Sequence, residues 1–142
     1  MSSPIIATYG HGTENDFVIL FDPDSQYVIT PAQIAAICNR SSGIGADGFI
    51  RITKPDGKWF MDYSNSDGSI AEMCGNGARC FARFAARLMD ISPRALSFET
   101  QAGPITAVLS GDSVTLDMGI PRDQRTGQAL RLADREMTVH FL

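Results

Sequence analysis

The stretch AEMCGNGARCFARF, residues 71 to 84, constrains the fold of this chain more than any other. From it into the residues that follow, Phe81, Phe84, Ala85 and Leu88 recur at i, i+3, i+4 and i+7, while Arg79, Arg83 and Arg87 fall on other faces. That pattern predicts an amphipathic helix over roughly 77 to 89. A helix this apolar on one side must be covered by another element. Gly75-Asn76-Gly77 leads into it, and such a run lets backbone come close to a neighbour or a ligand.

The rest of the sequence reads largely as strands. IIATY (about 5 to 9) and DFVILF (16 to 21) read as strands joined by the polar, Gly-rich GHGTEN. ITPAQIAAICNR predicts a short helix with Thr30 as N-cap, Pro31 in the first position and Ile34, Ala35 and Cys38 on one face. A loop, SSGIGAD, precedes the strand GFIRIT; Pro55-Asp56-Gly57 turns the chain into KWFMDY, where Trp59, Met61 and Tyr63 alternate. Beyond the central helix come ALSFET, PITAVLS and SVTLDMG, the last two forming a hairpin at Ser110-Gly111-Asp112. REMTVHFL, with Met137, Val139 and Phe141 alternating, predicts a strand that runs to the last residue without a turn or polar tail. A domain usually closes on something less apolar, so the expectation is a chain cut within a larger architecture.

The length of 142 residues fits one domain. A net charge of -4 without a Lys/Arg block gives no reason to expect nucleic acid. No stretch reaches the roughly 18 apolar residues of a membrane helix, and MSSPIIATYG lacks the basic start and apolar core of a signal peptide. Cys38, Cys74 and Cys80 are an odd set without CxxC spacing, so neither a disulfide framework nor a zinc site is expected, and a cytoplasmic location is.

GIGADG at 43 to 48 matches the dinucleotide fingerprint letter for letter, but a helix precedes it and a strand follows, the reverse of what that motif needs. It reads as a turn. NSDGS has part of a calcium-loop spacing, yet Tyr63 and Cys74 would occupy the first and twelfth positions, where oxygen ligands are required.

Cys74 stands apart from the other cysteines. A free cysteine is most often a small buried hydrophobe, and Cys38 and Cys80 are expected to be that. In a helix Cys80 would lie about 240° around from Cys74, so the two thiols point apart. Cys74 instead precedes a helix start, whose unpaired N–H groups favour an anion and activate a nearby thiol. One short stretch thus offers a reactive sulfur and a cradle for a carboxylate. Two chemistries fit. A cysteine hydrolase would need a histidine base, and neither His11 nor His140 can be placed beside Cys74 from sequence. Alternatively the thiolate is itself the base that removes an α-proton.

GHGTENDFVIL, GIGADGFIRI, MDYSNSDGSIAEMCGNGARCFARF and LDMGIP together resemble successive signatures of the diaminopimelate epimerases, in order and over nearly the whole chain. The resemblance implies an α+β fold in which a mixed β-sheet wraps a central helix, one of two such halves in the family. It implies interconversion of LL- and meso-diaminopimelate, on the route to lysine and peptidoglycan, by two cysteines without cofactor or metal. Cys74 would be one of those acid/base cysteines; Asn15, Asn65, Gly75 and Asn76 would bind the substrate. Many members carry glutamine where this chain has Gly48, which offers no side-chain amide. The second half, with its own cysteine, has no counterpart here, so residues 1–142 read as an N-terminal domain ending in a linker strand. The implied partners are an amino-acid substrate and the missing half, with a homodimer as a further arrangement and no nucleic acid or membrane. Isolated, the chain is expected to be inactive. A related isomerase of proline racemase or phenazine-pathway type, and a non-catalytic module pairing through an exposed strand edge, are the competing readings.

Overall fold

A computed structural model of the chain describes residues 4–89, 95–120 and 125–141. Seven strands form one sheet in sequence order: β1 (Thr8–Gly12), β2 (Asn15–Phe21), β3 (Gly48–Thr53), β4 (Phe60–Asn65), β5 (Ala95–Thr100), β6 (Gly103–Ser110) and β7 (Ser113–Asp117). Helix α1 (Pro31–Cys38) connects β2 to β3 and helix α2 (Gly75–Leu88) connects β4 to β5; these two pairs run parallel, and the other neighbours run antiparallel. The fold is therefore α+β with a mixed sheet, as expected. α2 touches both edge strands, β1 and β7, as well as strands between them, so the sheet curls around the helix.

β2 shows why that curl is stable. Its apolar run is buried on both faces: Phe17 and Ile19 join the α2-side core, whereas Val18 and Leu20 join a second core with Ile34 and Cys38 of α1. Such two-sided burial produces a continuous apolar run instead of alternation. On α2 the buried residues are Gly77, Ala78, Phe81, Ala82, Ala85 and Ala86. The expected stripe is thus only half right. Phe81 stacks on Phe98 at 4.4 Å between ring centroids, but Phe84 is half-buried and Leu88 is 45% exposed. The curled sheet comes so close that small side chains, not large ones, make the contact face.

Local signals behave as their chemistry requires. Thr30 caps α1 and forms a capping box with Gln33. GIGADG is a turn that ends α1: Gly43, Gly45 and Ala46 N–H groups take up the carbonyls of Asn39, Ile37 and Cys38. The expected hairpin forms, with Ser110 paired to Ser113. The first hairpin differs from expectation. β1 extends through Gly12, and the link is a two-residue turn at Thr13 and Glu14, with φ of 58° and 66°. Neither residue is of the Asn/Gly type that marks such turns, so the sequence conceals it.

Two further strands, β8 (Arg125–Arg131) and β9 (Glu136–Phe141), pair in a separate antiparallel ribbon. β9 is the strand anticipated in REMTVHFL, although Leu142 lies outside the described residues. β8 has no buried residue, hence no periodicity to announce it. Among the described residues no helix is long and apolar enough to cross a membrane.

A buried carboxylate ties β1, β2 and the turn after α1 together. Asp16 is 6% exposed and receives Arg40 Nη1 and Nη2 at 3.0 and 2.8 Å, Tyr9 Oη at 2.6 Å and Asp47 N at 2.8 Å. The Arg40 guanidinium holds the Asp16 carboxyl well below the usual carboxylate range, against the opposing effect of burial. A carboxyl with a depressed folded-state pKa stabilises above its unfolded value, near 3.8, and loses that contribution as pH falls toward the folded one. Asp16→Asn is expected to lower stability at pH 7 by about 1–2 kcal/mol and to flatten the decline of Tm below about pH 4, as measured by thermal unfolding across pH. Parallel wild-type and variant curves in that range would contradict it.

Candidate active site

α2 begins at Gly75, two residues before the start predicted from periodicity, and Cys74 is its N-cap with φ -145° and ψ 112°. Gly-Asn-Gly is a poor helix interior but is tolerated in a first turn, where N–H groups need no intrahelical partner. Space fixes the third residue: a Cβ on Gly77 would lie 3.0 Å from Met61 Cε and 3.2 Å from Ile50 Cδ1. The cap itself is unusual in being sulfur. Cys74 Sγ accepts the Gly77 N–H at 3.4 Å, the contact that serine or aspartate oxygen normally makes. In the other direction the thiol donates to Asn15 Oδ1 at 3.5 Å. The sulfur therefore has a donor suited to S⁻ and an acceptor suited to S–H.

The predicted site residues converge unequally. Asn15, at the start of β2, meets Cys74 and also accepts from Asn76 Nδ2 at 3.1 Å. Gly75 and Asn76 form the first turn, and their backbone N–H groups are left free by the cap. Gly75 also lies beside Met118, since a Cβ there would be 3.5 Å from Met118 Sδ; the DMG segment thus reaches the same helix start. Asn65 is different: its side chain donates to Ser69 Oγ at 3.1 Å within the NSDGS turn and accepts from the Tyr63 hydroxyl at 3.4 Å, with no hydrogen bond to Cys74 among those of the described residues.

Three residues with a place here carry no site signal in the sequence. Tyr63 reads simply as an inward strand residue, and its ring does pack edge-on against Phe17. Yet it also senses the thiol: burial first, then the nearness of Cys74, push the phenol up to about 12. Asp47 accepts Asn15 Nδ2 at 2.9 Å, and Arg79 donates to Asn76 Oδ1 and to Thr13 Oγ1. Asp47 belongs to the GADG stretch and Arg79 to the same CGNGAR run as Cys74, but neither position by itself announces these contacts.

The other thiols lie elsewhere. Cys38 is 3% exposed in the α1-side core. Cys80 is half-buried and lines a groove of about 490 Å³ at the seam between β1 and β7, with Arg79, Arg83 and Phe84, and burial pushes its thiol up. His11 lines that same groove, and His140 accepts from Gly127 N at 3.4 Å in the ribbon; neither is a partner of Cys74. Among the described residues no group of three or more His, Cys, Asp or Glu is placed to hold a metal ion.

The family model for diaminopimelate epimerase matches residues 7–123. The chain belongs to the diaminopimelate epimerase family. It is 45% identical to the diaminopimelate epimerase of Thermobifida fusca over 141 residues, covering 88% of this chain and 51% of that protein. Against the diaminopimelate epimerase of Streptomyces coelicolor the identity is 40% over 131 residues, covering 84% and 45%. The chain thus spans about half the length of these relatives. Among solved structures, PhzF-family phenazine biosynthesis proteins from Bacillus anthracis (TM-score 0.56, 17% identity, 91% of this chain and 42% of that one) and Enterococcus faecalis (0.55, 13%, 77% and 43%) share the fold.

Gly48, which offers no side-chain amide, has a structural reason to be glycine here. A Cβ would sit 2.6 Å from Tyr63 Cε2 and 2.9 Å from the Ser64 carbonyl oxygen. The phenol ring occupies the space that a side chain at 48 would need. Gly48→Ala is expected to destabilise by about 1–3 kcal/mol, read as a lower urea midpoint with an unchanged m-value. A neutral substitution would mean the ring moves aside freely.

Proposed function

We propose that this chain is the N-terminal half of an epimerase that interconverts LL- and meso-diaminopimelate, with Cys74 as one of two acid/base thiols. The observation that carries the reading is the double coordination of Cys74 Sγ, by the Gly77 N–H and by Asn15 Oδ1. A group that must take a proton in one direction and return it in the other needs support in both states. The free N–H groups of Gly75 and Asn76, at the positive end of α2, suit the substrate's α-carboxylate. With the carboxylate there, the sulfur takes the α-hydrogen as a proton: the C–H bond breaks, S–H forms, and the electron pair is left on the α-carbon. The helix start steadies the negative charge that spreads onto the carboxylate. Reprotonation must come from the opposite face, which Cys74 cannot reach, so the second thiol belongs to the other half of the enzyme.

The reaction needs no cofactor in this scheme and would serve lysine and peptidoglycan synthesis in the cytoplasm. The chain alone would bind but not turn over. Two competing readings remain distinct: a related isomerase of the phenazine-pathway or proline racemase type, for which the shared fold speaks, and a non-catalytic module using the free edges of β1 and β7. A hydrolase lacks support, because no histidine stands at Cys74.

The test is deuterium wash-in at the α-carbon of both diaminopimelate isomers in D2O. It compares the chain alone, the chain mixed with the separately produced C-terminal half of the Thermobifida fusca relative, and mixtures carrying Cys74→Ser or Cys74→Ala. Exchange is expected only in the wild-type mixture, falling by roughly 10²–10⁴ in both variants. Cys74→Ser should keep the stability of the chain, because serine caps a helix well, whereas Cys74→Ala should lose about 1 kcal/mol. Full exchange by the chain alone, or exchange that survives in Cys74→Ala, would overturn the proposal.

A further inference from the structure

Two asparagine amides stand in series between charged groups of opposite sign. Asn15 Nδ2 donates to Asp47 Oδ2 at 2.9 Å, Asn15 Oδ1 accepts from Asn76 Nδ2 at 3.1 Å, and Asn76 Oδ1 accepts from Arg79 Nη2. A carboxylate can only accept and a guanidinium can only donate. The polarity of the row is thus fixed from both ends. Turning Asn15 over would set its oxygen against Asp47; turning Asn76 over would set its NH2 against Arg79. The Asp47 carboxylate is itself held, since Arg40 Nη2 donates to its other oxygen at 2.9 Å and its backbone N–H is bound to Asp16 Oδ1 at 2.8 Å.

We propose that Asp47 is a positioning residue for Cys74: by fixing the polarity of the Asn15 amide, it makes the sulfur face a carbonyl oxygen instead of an NH2 group. The inference rests on the reading of Cys74 as an acid/base thiol. The hydrogen-bond partners of the sulfur are the Gly77 N–H from α2 and Asn15 Oδ1 from β2. The first donates to it, so Asn15 Oδ1 is the acceptor that receives and aims the S–H hydrogen. An NH2 in its place would add a further donor and favour the thiolate. Asp47 thereby keeps the thiol form competent as an acid without touching the sulfur.

The test is the rate of Cys74 alkylation by iodoacetamide at pH 7, followed peptide by peptide with mass spectrometry on the whole chain, with circular dichroism to verify folding. Asp47→Asn replaces the obligate acceptor with a group of either polarity, and it is combined with Arg79→Ala, which removes the restraint at the far end of the row, so that Asn15 is released. Alkylation is expected to rise roughly threefold to tenfold, the effect of exchanging an acceptor for a donor at sulfur. Loss of the Asp47 charge could raise the rate by itself, so the pair of substitutions is repeated in an Asn15→Ala background, where no rise is expected. Asp47→Ser with Arg79→Ala also removes the obligate acceptor and gives a second variant should the first fold poorly. An equal rise in both backgrounds, or no change in a folded double variant, would overturn the proposal. Alkylation needs neither substrate nor a second half, so the outcome is independent of whether the chain is an epimerase.

Discussion

The seven-stranded sheet and the site at its rim depend on how closely a sheet can approach the helix it encloses. The strands can curl around α2 only because its inner face is nearly bare: Gly77, Ala78, Ala82 and Ala85 carry the contact, with Phe81 as the one large side chain driven into the core. Close packing leaves no slack at such an interface. The same closeness fixes the helix along its axis and sets its first turn beside the start of β2. Cys74 and Asn15, 59 residues apart in sequence, meet as a consequence of core packing. The site is the rim of the core, and its geometry inherits the precision of the interior.

Charge adds a second layer of definition. Asp16 is buried yet fully satisfied, by Arg40, Tyr9 and the backbone of Asp47. Burying a carboxylate without such partners would be costly. Here the partners come from β1, the turn after α1 and the GADG stretch, so the network joins three segments that share no core contact face. It also brings Asp47 to the edge of the thiol site. The glycine turn that ends α1 is therefore more than punctuation, because it delivers a carboxylate to Asn15.

Much of this was legible in the sequence, and the failures have physical causes. Helix α1 was readable because Thr30, Pro31 and Gln33 are local signals that act within one turn. The last strand was readable from alternation. The start of α2 was misplaced because periodicity begins only with the first packed side chain, whereas the helix begins with glycines that have none. Phe84 and Leu88 were expected in the core because hydropathy cannot reveal how near the sheet comes. The β1–β2 turn was missed because Thr13 and Glu14 adopt positive φ under the pull of the strands they join, against their own preference. Cys74, Gly75 and Asn76 could be singled out from motif and chemistry, Asn15 and Asn65 only from the family resemblance. Tyr63 and Asp47 could not, since their contacts arise only when distant segments meet, and Arg79 reads in the sequence as one of three arginines on the outer faces of the helix.

Asn76-Gly77 brings an unexpected liability into view. In flexible chains an Asn-Gly pair ages chemically, because the glycine nitrogen can attack the neighbouring side-chain amide and close a succinimide ring. The folded chain works against this reaction at each reacting group. The Gly77 N–H is engaged by sulfur, the Asn76 amide is tied at both ends, and both residues lie in helical backbone. The contacts that organise the thiol thus also set the shelf life of the protein. Time spent unfolded threatens the site with permanent damage as well as temporary disorder.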